Sequence, residues 1–171
     1  DGRLAGPGAD FLQQRLGTAQ FVLVGEDHGF ADPPRLAAAL AREGFDHGID
    51  RHGVEAGPLS TRWATSLLRG GGIDALATEL AERPLALPFL SMREDAELAL
   101  TFLEQSRGDG EVIWGVDQEF VGSPLILLER LTSLAPDDDA RDRMITLLEA
   151  ERESFATGNQ AAVFLFTATD S

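Results

Sequence analysis

The fold is decided by the stretch Phe21-Val22-Leu23-Val24-Gly25-Glu26-Asp27-His28-Gly29, where four apolar residues run into glycine, two carboxylates and a histidine. A short continuous Phe/Val/Leu run is typical of a strand buried on both faces, in a parallel sheet covered by helices. Ligands of open α/β sheets bind outside the carboxyl ends of the strands. We therefore predict a buried strand at residues 21–24, followed directly by a functional site.

The rest of the chain predicts helices that alternate with two further strands. Asp32-Pro33-Pro34 is a good helix start, with aspartate as N-cap and proline in the first turn. A weak strand is predicted at residues 53–55 and a clear one at residues 111–117. Between them we expect a helix broken by Gly70-Gly71-Gly72, and another that opens with a capping box at residues 91–94.

After the last strand we expect two more helices, one from Ser123-Pro124 and one preceded by the acidic residues 137–139. Residues 162–166 fit either a helical turn or a strand. Strands interleaved with long helices predict an α/β fold with a mostly parallel sheet. Three strands are few for 171 residues. We expect residues 1–171 to be one α/β domain or the N-terminal part of a larger one, with residues 1–9 irregular.

The composition excludes several classes of function. The formal net charge of −15 argues against nucleic-acid and anionic-membrane partners, because both require a basic surface. The chain has no cysteine, which excludes a thiol nucleophile, a thiolate metal site and a disulfide framework. All 14 basic residues are arginine, so Schiff-base lysine chemistry is also excluded. No apolar run approaches the roughly 20 residues of a membrane span.

The location of the protein stays open at this stage. The chain begins at Asp1 without methionine, which fits either a processed secreted protein or a fragment of a longer one. No signal sequence is present to decide between them. A bacterial cytoplasmic protein and a secreted or periplasmic one both remain as alternatives.

Four residues with acid–base chemistry are predicted to lie at strand ends, namely Glu26, His28, Glu55 and Asp117. If the strands are parallel neighbours, these side chains meet at one edge of the sheet. A histidine beside carboxylates can act as a general base on water, because the carboxylate fixes its tautomer and stabilises its protonated form. The same set of nitrogen and oxygen atoms could hold a divalent metal.

Acidic residues at strand ends also have a structural alternative, because they are common there as helix N-caps. Asp117 could simply cap a helix, whereas no helix is predicted directly after Glu55, which favours a role in the site. Arg35, on the first turn of the following helix, could contact an anionic group or form a surface ion pair. His47 and His52 are expected to be solvated loop residues.

Three short motifs resemble one known superfamily. Gly25-Glu26-Asp27-His28 is similar to the opening motif of the erythromycin esterase-like, ChaN and TIKI/TraB superfamily. Val54-Glu55-Ala56 resembles its next landmark. The stretch from Phe89-Leu90-Ser91-Met92-Arg93-Glu94 to Trp114-Gly115-Val116-Asp117 looks like the esterase-like branch. The resemblance covers about residues 20–125.

The resemblance implies an α/β fold with Glu and His lining a pocket at the carboxyl edge of the sheet. In the esterase branch the histidine activates water against an ester or lactone. In the TIKI branch equivalent residues bind a metal, and ChaN-like members bind haem. Two features depart from the esterase pattern: its motif has one more residue between Glu and His, and its longer members carry further site histidines, whereas this chain has none after His52.

Our leading hypothesis is a hydrolase-like domain acting on a small-molecule ester, lactone or similar bond. His28 would be the general base, Glu26 and Glu55 would orient it or the water, and Arg35 or Asp117 would contact the substrate. This chemistry requires no cofactor. The alternative is a module that binds haem or a divalent metal without turnover, and a third reading is a degenerate member used structurally. The sequence gives no oligomeric state.

Overall fold

The computed structural model describes residues 2–83, 85–106 and 110–157, and this part of the chain is mostly helical. Its α-helices are α1 (Ala9–Leu16), α2 (Asp32–Gly44), α3 (Pro58–Glu82), α4 (Arg93–Gln105), α5 (Ser123–Leu134) and α6 (Asp138–Ala156). The two strands are β1 (His52–Val54) and β2 (Ile113–Gly115), and a single 3₁₀ turn (Phe45–His47) follows α2. None of the helices in these ranges has the length and apolarity needed to cross a membrane.

The two strands form a parallel pair, with His52 opposite Ile113 and Val54 opposite Gly115. Helices α3 and α4 make the connection between them, as a parallel pairing requires a long crossover. The prediction of parallel strands connected by helices is confirmed. A mostly parallel sheet is not: the described chain pairs only β1 with β2, and helices dominate the fold.

Residues 21–24 form no strand in the structure, which contradicts the prediction of a strand buried on both faces. Phe21 and Leu23 are 79% and 95% exposed, whereas Val22 and Val24 are both 37% exposed. This two-residue alternation is that of an extended chain. No backbone hydrogen bond joins residues 21–26 to β1 or β2 among the described residues, so the segment remains an unpaired neighbour of the sheet.

The helix boundaries follow the local signals in most places. Helix α2 runs from Asp32 to Gly44, but the predicted N-cap role of Asp32 is wrong, because Ala31 is the N-cap and no side chain caps the helix. At the start of α6 the Asp137 carboxylate accepts a hydrogen bond from the Ala140 N–H, at 2.7 Å. Gly72 (φ +68°) kinks α3 where the glycine run predicted a break. The predicted capping box at residues 91–94 is wrong, because α4 has no side-chain cap. Residues 162–166 lie outside the described residues.

The hydrophobic core lies where α2, α3 and α4 pack on the two strands. Its larger side chains are almost completely buried, and they are Leu68, Leu76, Leu98, Phe102, Leu103, Val54 and Ile113. Burial of each such side chain contributes roughly 1.5–3 kcal/mol. The core therefore fixes α4 against β1, and this contact positions the side chains described in the next section.

The close approach of β2 to the start of α3 depends on glycine. A Cβ at Gly115 would lie 2.5 Å from the Gly57 carbonyl oxygen and 2.6 Å from Thr61 Oγ1. The carboxylate of Glu119 accepts hydrogen bonds from the N–H groups of Leu59 and Ser60, the latter at 3.3 Å, and so caps α3. Because only three residues separate β1 from α3, the contact between β2 and the start of α3 also fixes the position where β1 ends.

We predict that Gly115→Ala destabilises the protein by about 1–3 kcal/mol, because backbone rather than a flexible side chain meets the new methyl group. Gly70→Ala is the matched control: its Cβ meets nothing within 4 Å, and alanine in a helix is about 0.5–1 kcal/mol more stable than glycine. Urea unfolding measures both free energies. Equal stability of the two variants would contradict the close contact.

Candidate functional site

An open cavity of about 470 Å³ lies between the extended segment at residues 21–26, α2, β1 and α4. This volume lies in the range of small-molecule sites. The walls are mainly apolar and include Val22, Val24, Pro34, Leu40, Phe89, Leu98 and Phe102. The polar side chains of the lining are Glu26, Arg51, His52, Glu55 and Asp95. An apolar cavity with a few ionisable groups suits a small organic ligand.

Glu26 and His28 form a side-chain pair at the edge of this cavity. Nδ1 of His28 lies 3.2 Å from Oε1 of Glu26. The imidazole also packs against the ring of Phe89, with 4.7 Å between the ring centroids. His28 is 62% exposed and does not itself line the cavity, but both of its partners do. The pair therefore presents an imidazole to solvent beside a small-molecule-sized space.

The local sequence explains how the pair forms. Glu26 and His28 are separated by one residue, and alternate side chains of an extended segment project to the same side. The chain then turns, with the Phe30 N–H donating to the Asp27 carbonyl at 3.3 Å and Gly29 at φ +87°. Glycine adopts this left-handed conformation without strain. The Gly-Glu-x-His-Gly pattern thus places two ionisable side chains in contact at a turn.

Asp95, on the first turn of α4, is the most deeply buried carboxyl of the cavity. It is only 7% exposed, and its Oδ2 has no hydrogen-bond partner. Burial raises the pKa of Asp95 above its ordinary value, and the charges of Glu26 and Glu94 raise it further. A hydrogen bond from the Leu90 backbone acts on the pKa in the opposite direction. The net effect favours the neutral acid.

Arg35 lies beside this group of carboxylates but is already paired. Its guanidinium donates to Oε1 of Glu94 at 3.0 Å and lies 3.7 Å from Asp32. Arg35 is exposed and is not part of the cavity lining. The structure therefore places Arg35 in the surface ion pair that was one of its two alternatives. Glu94, which the capping box would have used, takes part in this ion pair instead.

The two strand-end carboxylates occupy different surroundings. Glu55 follows β1 and lines the cavity. Asp117 follows β2, donating its backbone N–H to the Ala56 carbonyl at 3.1 Å, so the strand ends are adjacent. The Asp117 carboxylate accepts a hydrogen bond from the Gln118 N–H at 2.7 Å and lies outside the lining. Glu26 and Glu55 thus share the cavity, and Asp117 does not.

His52 differs from the solvated loop residue that was expected, whereas His47 is exposed as predicted. His52 begins β1, lines the cavity and stacks on Phe102, with 5.2 Å between ring centroids and 10° between ring planes. Burial lowers the pKa of His52 from 6.5 to about 4. The ring is therefore neutral at pH 7.

The site fits neither of the cofactors that the superfamily resemblance implies. Within the described ranges, no group of three or more His, Asp or Glu side chains is arranged to hold a metal ion. Haem would bring two propionates to a lining that contains three carboxylates. Arg51, which also lines the cavity, is bound to Asp50 at 2.8 Å. Among the residues that the structure describes, the site therefore offers no three-residue metal set and no unpaired arginine in the cavity lining for the haem propionates.

Comparisons of the chain with models of protein families, with curated proteins and with solved structures give no match. The site must therefore be interpreted from its own geometry.

Sequence reasoning missed Asp95 and His52. A signal for Asp95 was present: it precedes Leu98 and Phe102 by three and seven residues, and so lies on the apolar face of its helix. A carboxylate on such a face is a candidate for function. For His52, the signal was its position directly before the predicted weak strand, where a side chain can be buried against the sheet.

We predict that His52 makes the protein acid-sensitive. Between about pH 6.5 and about pH 4 the unfolded chain binds a proton at His52 that the folded chain does not, so stability falls as the pH falls. The loss is on the order of 3 kcal/mol across this window. His52→Phe preserves the stacking on Phe102 and removes this contribution.

Urea unfolding of wild type and His52→Phe at about pH 7 and about pH 4.5 isolates this effect, because the carboxylates are common to both proteins. The variant should lose less stability on acidification than wild type. Parallel losses in the two proteins would contradict a neutral, partly buried His52.

Proposed function

We propose that this chain is a hydrolase whose His28 activates water against an ester, lactone or similar carbonyl bond of a small molecule. The observation that carries the proposal is the 3.2 Å contact between His28 Nδ1 and Glu26, beside a cavity of small-molecule size. The Gly25-Glu26-Asp27-His28 motif supports it, and on that motif we propose membership of the erythromycin esterase-like, ChaN and TIKI/TraB superfamily.

The contact with Glu26 supports Nε2 as the basic nitrogen of His28. A carboxylate only accepts hydrogen bonds, so Nδ1 carries the proton that it donates to Glu26, and Nε2 keeps a free lone pair. Nε2 takes a proton from water, and the Glu26 carboxylate stabilises the imidazolium that forms. The water oxygen then bonds to the carbonyl carbon, the bond from that carbon to the leaving oxygen breaks, and the leaving oxygen takes up a proton, so that one water yields an acid and an alcohol.

The other predicted residues have different support. Glu55 lines the same cavity and is proposed to orient the water or the substrate. Arg35 is bound to Glu94, so a substrate contact would require it to exchange partners. Asp117 lies outside the lining and remains the weakest of the proposed substrate contacts. The apolar walls favour an acyl or alkyl portion in the substrate.

We predict that His28→Ala lowers kcat/KM by about 10²–10⁴-fold on any ester that the wild type hydrolyses, since this is the usual contribution of a general base. The assay uses 4-nitrophenyl esters of increasing acyl length together with simple lactones. His47→Ala is the matched control, because His47 is exposed and outside the cavity lining, and it should retain wild-type rates.

Two outcomes would count against the proposal. Wild-type rates in His28→Ala would remove His28 as the base. An absence of hydrolysis by wild type across the whole panel would overturn the hydrolase function itself.

A further inference from the structure

We propose that Asp95 is the general acid of the candidate active site and protonates the leaving group. This inference rests on the proposed hydrolase function. It adds a second catalytic residue, on an element that the strand-end motifs do not include.

Asp95 lines the cavity with one carboxyl oxygen that could bind a ligand there. It lines the cavity together with Glu26, the partner of His28. Asp95 is 7% exposed, yet its Oδ2 has no hydrogen-bond partner in the structure. A buried carboxyl oxygen without a partner is costly, because it has lost its hydrogen bonds to water and gained none in return. A substrate oxygen in the cavity would supply the missing partner.

The surroundings of Asp95 favour its protonated form. Burial raises the pKa of Asp95 most, and the charges of Glu26 on the extended segment and Glu94 on its own helix raise it further, against the opposing hydrogen bond from the Leu90 backbone. From α2, Arg35 reaches Glu94. The cavity is also lined by Glu55, His52 and Arg51, which lie on β1 or at its ends, and Arg51 is paired with Asp50. His52 is neutral because burial lowers its pKa.

The two groups therefore divide the acid and base roles. His28 Nε2 takes a proton from water as the water oxygen bonds to the carbonyl carbon. The bond from that carbon to the leaving oxygen then breaks, and Oδ2–H of Asp95 gives its proton to that oxygen, which departs as an alcohol. Solvent carries the proton from His28 back to Asp95. One water is consumed, and an acid and an alcohol are released.

The test is the dependence of rate on the leaving group. Nitrophenolate departs without a proton, whereas an alkoxide requires one, so only alkyl esters need a general acid. Asp95→Asn is nearly isosteric and neutral. It should change kcat/KM for a 4-nitrophenyl ester by less than about threefold, and lower kcat/KM for the matching ethyl ester by about 10²-fold or more.

The pH profile gives a second readout. With the ethyl ester, wild-type kcat/KM should fall as the pH rises through the pKa of Asp95, and this alkaline limb should be absent in Asp95→Asn. Glu97→Gln is the matched control, because Glu97 lies on the same helix, pairs with Arg93 at 3.5 Å and is outside the cavity lining. It should keep the wild-type ratio of the two esters.

The outcomes separate the two proposals. If wild type hydrolyses both esters and Asp95→Asn loses both equally, the acid role is overturned and the hydrolase function stands. If Asp95→Asn is unfolded by circular dichroism, the wild-type pH profile decides, and a flat alkaline limb overturns the acid role. If wild type hydrolyses neither ester, the hydrolase function fails, and the acid role fails with it.

Discussion

The parallel pairing of β1 with β2 is the constraint on which the other features depend. It buries Val54 and Ile113 in the core, and it places the backbone of Gly115 against that of Gly57. The crossover through α3 and α4 then returns α4 to the sheet, with Asp95 facing the cavity. The extended segment that carries Glu26 lines the same cavity as β1. A two-stranded pairing thus brings together carboxyl groups that are far apart in sequence.

Local signals predicted the helices well, because caps and breaks act over a few residues. Asp137 and the glycines at residues 70–72 mark the boundary and the kink that the structure shows, whereas Asp32 begins α2 without capping it. The strand at residues 21–24 could not be predicted correctly in this way. An apolar run establishes that a segment can be buried, but a strand also requires a partner for its backbone, and the described chain offers residues 21–24 none.

The site was predictable where its geometry is local. Glu26 and His28 are two residues apart, and their side chains contact each other where the extended segment ends in a turn. Asp95 and His52 depend on tertiary burial, which brings α4 and β1 to the same cavity and changes the pKa of both side chains in ways that no short motif encodes. Arg35 and Asp117 were predicted as substrate contacts from their positions in the sequence. In the structure Arg35 is hydrogen-bonded to Glu94, and the Asp117 carboxylate accepts a hydrogen bond from the Gln118 N–H.

The proposed hydrolysis requires that Glu26 holds His28 with Nδ1 protonated and Nε2 free to act as a base. The most direct measurement is the ¹⁵N chemical shifts of the histidine rings at a pH where they are neutral, with three histidines to assign. We expect His28 to be the Nδ1–H tautomer in wild type and to revert toward Nε2–H in Glu26→Ala. A dominant Nε2–H tautomer of His28 in the wild type would contradict it.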